Sequence, residues 1–326
     1  MSRSPIRACL KVLVSGAALL LCVACQPGTA VLWSVAGPHA MWALPASTPV
    51  LASTPVPPRA DPPPPSPFGS EPDSVAGGAV PPEFPDASTT GVPDGVVLRD
   101  VGSVTVSEDG AVIDALRVSG SVTVDADDVT IRRSLIRNNG LYAIRVLSGH
   151  RGLLVEDVEI DGAARGSAAV CCSGYTLRRV NVHDVTEGPR LGSDSAIYDS
   201  FIHSLHRCTG CHIDALQSTG GIGIVVEGNN LQAYNAETGD FMNAAFQFGT
   251  TQGPISDAIV RGNLMNGGNF TVNGGGGGTS DATVSFRDNR FGRDFRFGPI
   301  GNLGPNVSFD LSNVFHDTGS PVRPGS

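Results

Sequence analysis

The residues with the most suggestive spacing lie in the segment HRCTGCHIDALQ, residues 206–217. Cys208, Cys211 and His212 follow the C-x-x-C-H pattern of a covalent haem attachment site. With His206 they also resemble part of a zinc ligand set. A haem would need a pocket and a second axial ligand, and four zinc ligands would be crowded into a very short stretch. Both cofactor interpretations are therefore disfavoured.

A disulfide is the favoured role for these cysteines. The sequence leaves the pairing open, because Cys208 can bond to Cys211 or either of them can bond to Cys171 or Cys172. Cysteines of exported proteins are more often disulfide-bonded than free. We expect no cofactor and no metal site among these residues, and calcium is the one cation that the sequence leaves open.

Histidine and aspartate side chains gather in the same part of the chain. His212 and Asp214 are two residues apart, so on an extended strand they point to the same side. Such a pair can act as acid and base, or one can orient the other. The segments before them contribute His183, Asp184 and His203. These five residues are the candidate catalytic groups, and the alternative is that they are solvated corner residues or stacked polar ladders.

The elements that must position these residues form an internal repeat. Eight ten-residue segments follow one template, beginning at residues 129, 153, 175, 195, 224, 258, 284 and 307. The third and eighth positions of every segment are apolar: Ile131, Val155, Leu177, Ile197, Val226, Val260, Phe286, Phe309, and Ile136, Ile160, Val182, Ile202, Leu231, Met265, Phe291, Val314. Alternating apolar and polar residues indicate strands with one buried face. The recurring template predicts an all-β right-handed parallel β-helix, a solenoid of one coil per repeat.

Stacked coils turn the alignment into columns of neighbouring residues. The ninth position gives an outward column, in which His183 and His203 are neighbours: Arg137, Asp161, His183, His203, Gln232, Asn266. The sixth position gives an internal ladder with a structural role: Ser134, Val180, Ser200, Asn229, Asn263, Asn289. A second strand in each coil gives a further column: Arg145, Val170, Arg190, Gln217, Gln247, Thr271. Its long polar members and one loop histidine are the candidate ligand-binding residues: Arg190, Gln217, Arg145, Gln247, His206.

The first part of the chain has a different composition. Arg3, Arg7 and Lys11 lead into an apolar run, which is the layout of a secretory signal, and Cys25 follows it as a lipidation candidate. The next stretch is dense in Pro, Ser and Thr and is typical of an extended linker. We therefore expect a signal peptide or lipoprotein signal, a linker and a β-helix domain: residues 1–25, 26–83 and 84–326. The alternative for the first segment is an uncleaved membrane anchor.

The charge balance restricts the partners. The chain has 22 basic and 31 acidic residues, a formal net charge of −9, and its one lysine is Lys11. A protein that binds nucleic acid needs a basic face, so this balance argues against nucleic acid. We expect a monomer outside the cell or anchored at a bacterial cell surface, with a membrane tether through the N-terminus as one form of anchoring.

Three stretches resemble a known family: FPDASTTGVPDGVVL at 84–98, GAVIDALRVSGSVTVDADDVTIRRSLI at 110–136 and HIDALQ at 212–217. They resemble secreted right-handed β-helix proteins of actinobacteria, in the pectate-lyase-like superfamily, over residues 84–326. The resemblance implies an extracellular location, polysaccharide binding and lyase or hydrolase chemistry. It does not fix the substrate. The Asn-Thr-Asp, Gly-His-Gly and Arg-Ile-Lys motifs of polygalacturonase-type hydrolases are missing from this sequence.

Each implied chemistry selects different residues. A lyase needs a base beside a sugar carboxylate, which would be His212 or His203, and a cation to neutralise that carboxylate, which would be Arg190 or Arg145. A glycoside hydrolase needs two carboxyl groups that flank the scissile bond. Asp184 and Asp214 are the preferred pair. The other hypothesis is a β-helix that binds glycans without cleaving them, or that serves as a rigid surface spacer.

Overall fold

The structure, a computed structural model, describes residues 84–276 and 281–324. It also describes a short antiparallel pair formed by Leu13–Val14 and Ala17–Ala18. The remainder of the predicted signal, Cys25 and the predicted linker 26–83 lie outside the described residues. In the described part of the chain, no helix has the length and apolar character needed to cross a membrane.

The described domain is an all-β parallel β-helix. Two long sheets run through it, each built from one strand per coil. The first sheet contains, in spatial order, Arg99–Val101, Leu116–Ser119, Leu135–Arg137, Glu159–Cys171, Asn181–Glu187, Phe201–Ile202, Asn230–Asn235, Leu264–Gly267, Arg290–Phe291 and Val314–Phe315. The second sheet contains Val112–Asp114, Thr130–Arg132, Leu153–Glu156, Tyr175–Arg178, Ala196–Tyr198, Val225–Glu227, Ile255–Arg261, Ala282–Arg287 and Val307–Phe309, with Gly221–Ile222 beside Ile255–Arg261.

A third sheet completes each coil, and it carries the second strand that the sequence predicted. Its strands are Val104–Val106, Val122–Val124, Tyr142–Val146, the end of Glu159–Cys171, Asp214–Ser218, Ala244–Gly249, Phe270–Gly276 and Gly298–Ile300. Arg190 joins the two halves of this sheet. Its backbone N–H donates to Val170 O at 2.9 Å, and it forms a parallel bridge with Gln217. The third sheet is therefore continuous along the solenoid. A short antiparallel strand, Asp240–Phe241, lies beside the end of Asn230–Asn235.

The apolar template positions form the core, as the repeat predicted. In the first seven repeats, both positions are completely buried, and from the first repeat to the seventh each residue pairs with its equivalent on the neighbouring coil. Burial at this level stabilises each large aliphatic side chain by about 1.5–3 kcal/mol. The last repeat differs, because Phe291 pairs with Phe315 and not with Val314. The eighth position of that repeat is thus one residue later than predicted.

The sixth position forms the predicted internal ladder, and Asn313, one residue after the sixth position of the last repeat, extends it. The side-chain amide of Asn229 donates to Asn263 at 2.9 Å, Asn263 to Asn289 at 2.9 Å, and Asn289 to Asn313 at 2.8 Å. All four asparagines are completely buried. Each amide also donates to a backbone carbonyl oxygen, for example Asn229 to Ile197 O at 3.0 Å. Because buried polar groups need partners, this ladder holds the coils together and leaves no free amide for a ligand.

The opening segment of the domain lies along the coils and not within them. The ring of Phe84 contacts His316 of the last coil, Pro85 O accepts a hydrogen bond from Asn230, and Gly91 N–H donates to Arg179 O. Gly91 has a φ of +82°, and an added Cβ would lie 3.1 Å from Cβ of Asn181. The segment thus covers part of the first sheet beside the histidine residues.

Candidate functional site

The structure places the predicted catalytic residues on two sheets, in two groups with separate contacts. His183, Asp184 and His203 belong to the first sheet or directly follow it, and we call this the histidine group. Asp214 begins the strand Asp214–Ser218 of the third sheet and contacts Gln217 of the same strand. Asp214 and a second acidic residue described below, Glu187, form what we call the carboxyl cluster.

The remaining predicted residues surround the third sheet. Arg145 is exposed on the strand Tyr142–Val146, 6.0 Å from the ring of Tyr142, and Arg190 lies 5.9 Å from the same ring. His206 is half-buried, and its backbone N–H donates to Val185 O at 2.8 Å. His212 is exposed in the loop before Asp214.

The cysteines form two disulfides within the described residues. Cys208 bonds to Cys211 across the loop that ends at His212, and Cys171 bonds to its neighbour Cys172. A bond between the two cysteine pairs, which the sequence left open, is not formed. Because both sulfur atoms of the C-x-x-C-H segment are used in a disulfide, they are not available to a haem or a zinc ion.

Asp214 is a carboxylic acid of which no part is exposed. Its Oδ1 accepts a hydrogen bond from Asn243 Nδ2 at 2.8 Å, and its Oδ2 accepts one from Gln217 Nε2 at 3.3 Å. The pKa of Asp214 is raised from 3.8 to about 7, with burial as the largest cause and the charge of Glu187 as a smaller one, while the hydrogen bonds oppose the shift. A carboxyl group with this pKa is partly protonated at neutral pH.

Glu187 is a second buried carboxylate, and the sequence interpretation missed it. It is 5% exposed and forms an ion pair with Arg190, whose Nε donates to Glu187 Oε2 at 3.0 Å. Its Oε1 is buried and has no hydrogen-bond partner. The only hint in the sequence is its place three residues before Arg190.

A close backbone contact brings Glu187 beside Asp214. Gly188 N–H donates to Asp214 O at 2.9 Å, and a Cβ added to Gly188 would lie 1.8 Å from Ala215 O. Only glycine fits at this approach. The sequence paired Asp214 with Asp184, whereas the structure gives Glu187 as the carboxylate whose charge acts on Asp214.

A line of amide side chains continues from Asp214 along the third sheet. Asn243 Nδ2 donates to Gln247 Oε1 at 3.2 Å, and Asn273 Nδ2 donates to the same oxygen at 3.0 Å. Strand pairing places Gln217, Gln247 and Asn273 in one column. The sequence interpretation missed Asn243 and Asn273.

The predicted column on the third sheet needs two corrections of register. Arg145 pairs with Cys171 and not with Val170, and Gln247 pairs with Asn273 and not with Thr271. Loops of variable length precede both strands, so the sequence could not place them to within one or two residues. The observed column therefore reads Arg145, Cys171, Arg190, Gln217, Gln247, Asn273.

An open depression of about 190 Å³ adjoins this column, and it is lined by Asn243, which donates to Gln247 of the column. Its rim carries His212, Arg207 and Arg296, and its floor includes Met242. The Cys208–Cys211 loop forms one side, since Cys211 also lines it. The depression thus presents cationic and amide groups next to the buried carboxyl groups.

The histidine group has a different pattern of contacts. His183 Nε2 lies 3.1 Å from Glu159 Oε1, and His183 Nδ1 lies 2.8 Å from Asp184 Oδ2. The hydrogen bond with Glu159 is the main cause that raises the pKa of His183 from 6.5 to about 9. The same contact lowers the pKa of Glu159. His183 is therefore an imidazolium ion at neutral pH.

His203 lies on the next coil, as the outward column predicted, with its ring 5.5 Å from the ring of His183. Nε2 contacts Asn181 Oδ1 at 3.0 Å, Nδ1 contacts Ser204 Oγ at 2.9 Å, and the ring stacks on Phe201. The pKa of His203 is lowered from 6.5 to about 4, with burial as the largest cause and the charge of His183 as the next. His203 is therefore neutral at neutral pH.

With this geometry described, the chain can be compared with known proteins. No protein-family model and no curated protein sequence matches it. A solved structure that is similar is the catalytic domain of a GH87 alpha-1,3-glucanase variant in complex with tetrasaccharides. The two share 11% sequence identity with a TM-score of 0.37, over 64% of this chain and 50% of that chain. The chain thus spans about half the length of the glucanase domain, and a likeness at this level assigns no activity to it.

The two groups differ in the chemistry that they can perform. The histidine group joins carboxylates and imidazole nitrogens on a partly exposed surface, a donor set of the kind that holds metal ions. The carboxyl cluster pairs Asp214, a proton donor with a pKa near neutrality, with Glu187, a carboxylate held in an ion pair with Arg190. Both lie beside the polar column. General acid–base catalysis is most efficient when the pKa lies near the working pH.

Proposed function

We propose that this chain is a carbohydrate-active β-helix protein that hydrolyses a polysaccharide bound along its third sheet. The observation that carries the proposal is the pair of buried carboxyl groups, Asp214 and Glu187, on adjacent coils beneath the polar column. Paired carboxyl groups with different protonation states are the chemistry that glycoside hydrolysis requires.

The two carboxyl groups take different roles in this proposal. Asp214, with its pKa raised to about 7, is the general acid that protonates the leaving oxygen. Glu187 forms an ion pair with Arg190, and its unpartnered Oε1 is the acceptor for an attacking water or a sugar hydroxyl. Gln217 donates to Asp214 at 3.3 Å, a longer hydrogen bond than the one from Asn243 to Asp214, and Gln217 is only half-buried. Substrate reaches Asp214 when a sugar oxygen replaces this amide.

The polar column supplies the binding surface. Stacked strands place successive side chains about 4.8 Å apart, so the half-buried Arg190, Gln217 and Asn273 offer hydrogen-bonding groups along one line of the third sheet, with the buried Gln247 between the last two. Tyr142, with two guanidinium groups near its ring, offers an aromatic surface at the end of this line. Regular spacing suits a ligand that is itself a repeating chain.

Glycan binding without cleavage is the second candidate, and one observation favours it. Asp214 has no exposed surface, and a catalytic acid must touch its substrate. If Gln217 does not move aside, the carboxyl groups serve only to hold the amides of Gln217 and Asn243 in place.

The site of action outside the cell is part of the proposal. The two disulfides support it, since such bonds persist in oxidising compartments. The predicted signal and the Pro-rich linker would hold the domain at a bacterial surface, with or without lipidation of Cys25, and the domain would act as a monomer.

The experiment uses the full chain on a panel of neutral and acidic polysaccharides, with and without calcium. New reducing ends are measured together with the ultraviolet absorbance of an unsaturated sugar. We expect reducing ends without absorbance, and a loss of at least about 100-fold in Asp214→Asn and in Glu187→Gln. Glu227→Gln is the matched control, because Glu227 forms its ion pair with Arg261 on the second sheet.

The other outcomes contradict the proposal in defined ways. Absorbance that accompanies the reducing ends would mean elimination, with His212 in the depression as the base to test next. Activity that survives in both carboxyl variants would place the reaction elsewhere. Binding to a polysaccharide without any cleavage would select the glycan-binding candidate.

A further inference from the structure

A second site is suggested by the histidine group, whose side-chain contacts do not include Asp214 or Glu187. Asp161, His183 and Asp184 each offer one ligand atom, and these atoms lie within 4.8 Å of one another. We propose that these three side chains bind a divalent first-row metal ion of the zinc type. Zinc accepts imidazole nitrogen and carboxylate oxygen together, at about 2.0–2.2 Å.

Rigid elements hold two of the three ligands. Asp161 and His183 are directly opposite one another on adjacent strands of the first sheet, Glu159–Cys171 and Asn181–Glu187. Their side chains therefore share one face at the spacing of neighbouring strands, about 4.8 Å. A metal ion between them would join two coils of the solenoid.

The third ligand reaches the same face through an unusual backbone conformation. Successive residues of a strand normally point to opposite faces, yet Asp184 Oδ2 lies 2.8 Å from Nδ1 of the preceding His183. Asp184 has a φ of +54°, in the left-handed region that non-glycine residues rarely adopt. This conformation turns its carboxylate back toward the imidazole. Its side chain is 43% exposed, so it can rotate to complete the ligand set.

Glu159 supplies the outer contact that metal-binding histidines usually have. Its Oε1 lies 3.1 Å from His183 Nε2, so it can accept the Nε2 proton and leave Nδ1 for a metal ion. A carboxylate on the far nitrogen of a ligating histidine fixes its tautomer and orientation. The histidine group thus contains both the ligands and the residue that orients one of them.

Charge also favours a divalent ion at this position. Three carboxylates, Asp161, Asp184 and Glu159, surround His183, and one of them pairs with a guanidinium: Arg137 Nε is 3.2 Å from Asp161 Oδ2. The Arg137 side chain is 64% exposed. It can therefore move into water when an ion replaces it, and a divalent cation balances the carboxylates better than the imidazolium proton does.

The test is metal binding by the full chain, measured by isothermal titration calorimetry with Zn²⁺, and by the visible absorption of Co²⁺ as a probe of nitrogen and oxygen ligation. We expect one ion per chain at this site. His183→Ala and Asp161→Asn each abolish its binding, and Glu159→Gln weakens it by about 10–100-fold. Thermal unfolding of each variant without metal shows whether it is folded.

His150 provides the matched control. Its Nε2 lies 3.0 Å from Asp125 Oδ1 and its Nδ1 lies 3.2 Å from Asp127 Oδ1, so it too is a histidine between two carboxylates. His150→Ala should leave the binding of Zn²⁺ unchanged. Binding that persists in both His183→Ala and Asp161→Asn would overturn the proposal, as would equal loss in His150→Ala. Wild-type protein that binds no Zn²⁺ would also overturn it.

Discussion

The histidine group and the carboxyl cluster solve the same electrostatic problem at two places, the first on the first sheet and the second between Glu187, at the end of a first-sheet strand, and Asp214 of the third sheet. Each places two like titratable side chains on adjacent coils: His183 beside His203, and Glu187 near Asp214. In each, one member has a counter-charge. Glu159 partners His183, and Arg190 partners Glu187. The other member is held by neutral groups, Asn181 and Ser204 for His203, and Asn243 and Gln217 for Asp214.

The histidine group and the carboxyl cluster differ in the pKa of the member that has no counter-charge. Burial lowers the pKa of His203 to about 4 and raises the pKa of Asp214 to about 7. Burial always disfavours the charged form, so it moves a base away from neutrality and moves an acid toward it. Near neutral pH, Asp214 can therefore exchange a proton, whereas His183 stays protonated and His203 stays neutral. For this reason we assign acid catalysis to the third sheet and metal binding to the first.

The largest expected effect that sharpens this comparison comes from Asp214→Asn. The folded-state pKa of Asp214 is about 7 and its ordinary value is 3.8, so folding takes up a proton between these pH values. The unfolding free energy of the wild type should therefore fall as the pH rises through this window, by an amount on the order of 4 kcal/mol. Asp214→Asn cannot ionise and should remove this fall. Denaturant unfolding across the window measures it.

An asparagine can replace Asp214 with little disturbance of its neighbours. Its side-chain oxygen still accepts the hydrogen bond from Asn243, and the half-buried Gln217 can reverse its amide. An equally steep fall in the variant would show that another group carries the pH dependence, and the contrast between the two groups would lose its basis.

The next effect concerns Arg190, the counter-charge of Glu187. Arg190→Ala leaves Glu187 buried without its cation, and loss of one partner from a buried ion pair costs about 3 kcal/mol or more. Urea unfolding at neutral pH measures this loss. Arg117→Ala is the control, since Arg117 and Asp100 form an exposed ion pair, 48% and 75% exposed, and such pairs contribute about 0–1 kcal/mol. Equal losses in both variants would mean that the burial of Glu187 carries no special cost.

The smallest effect tests the coupling between the two histidines. His183→Asn removes a positive charge beside His203, so the pKa of His203 should rise from about 4 toward 6.5. The rise is partial, because burial is the larger cause of the shift. Proton NMR titration of the ring, in the presence of a chelator, follows it. An unchanged pKa would show that the two rings titrate independently.

His203 also affects acid stability, with the opposite sign to Asp214. It is neutral in the folded chain at pH values where the unfolded chain would be protonated, between about 4 and 6.5. Its contribution is therefore present above pH 6.5 and is lost as the pH falls to about 4. His183→Asn should narrow this window, since it raises the lower limit.

Several features of the fold could be predicted from the sequence because they depend on local pattern. The alternation of apolar residues at the third and eighth template positions gives the buried face of each strand, and the asparagines of the sixth position stack in the predicted ladder. The adjacency of His183 and His203 followed from the same alignment. In a solenoid each coil contacts its neighbours in sequence order, so a repeat is enough to predict these contacts.

The details of the third sheet could not be predicted in this way. The loops before its strands differ in length from coil to coil, and Cys171 and Asn273 are therefore displaced from the residues predicted by alignment. The same reason applies to Phe315 in the last coil. A displacement of one residue changes which face a side chain lies on, so strand pairing had to be observed.

The sequence by itself determined the coil, its buried faces and the outward column, because short-range alternation and a repeated template are sufficient for them. Only the tertiary structure decided that Glu187 and not Asp184 is the carboxylate near Asp214, and that Gly188 allows the approach. It also decided which member of each pair, His183 and His203 or Glu187 and Asp214, has a counter-charge. Counter-charges and burial come from other coils and loops, and a pKa depends on all the groups around a side chain and not on its neighbours in sequence.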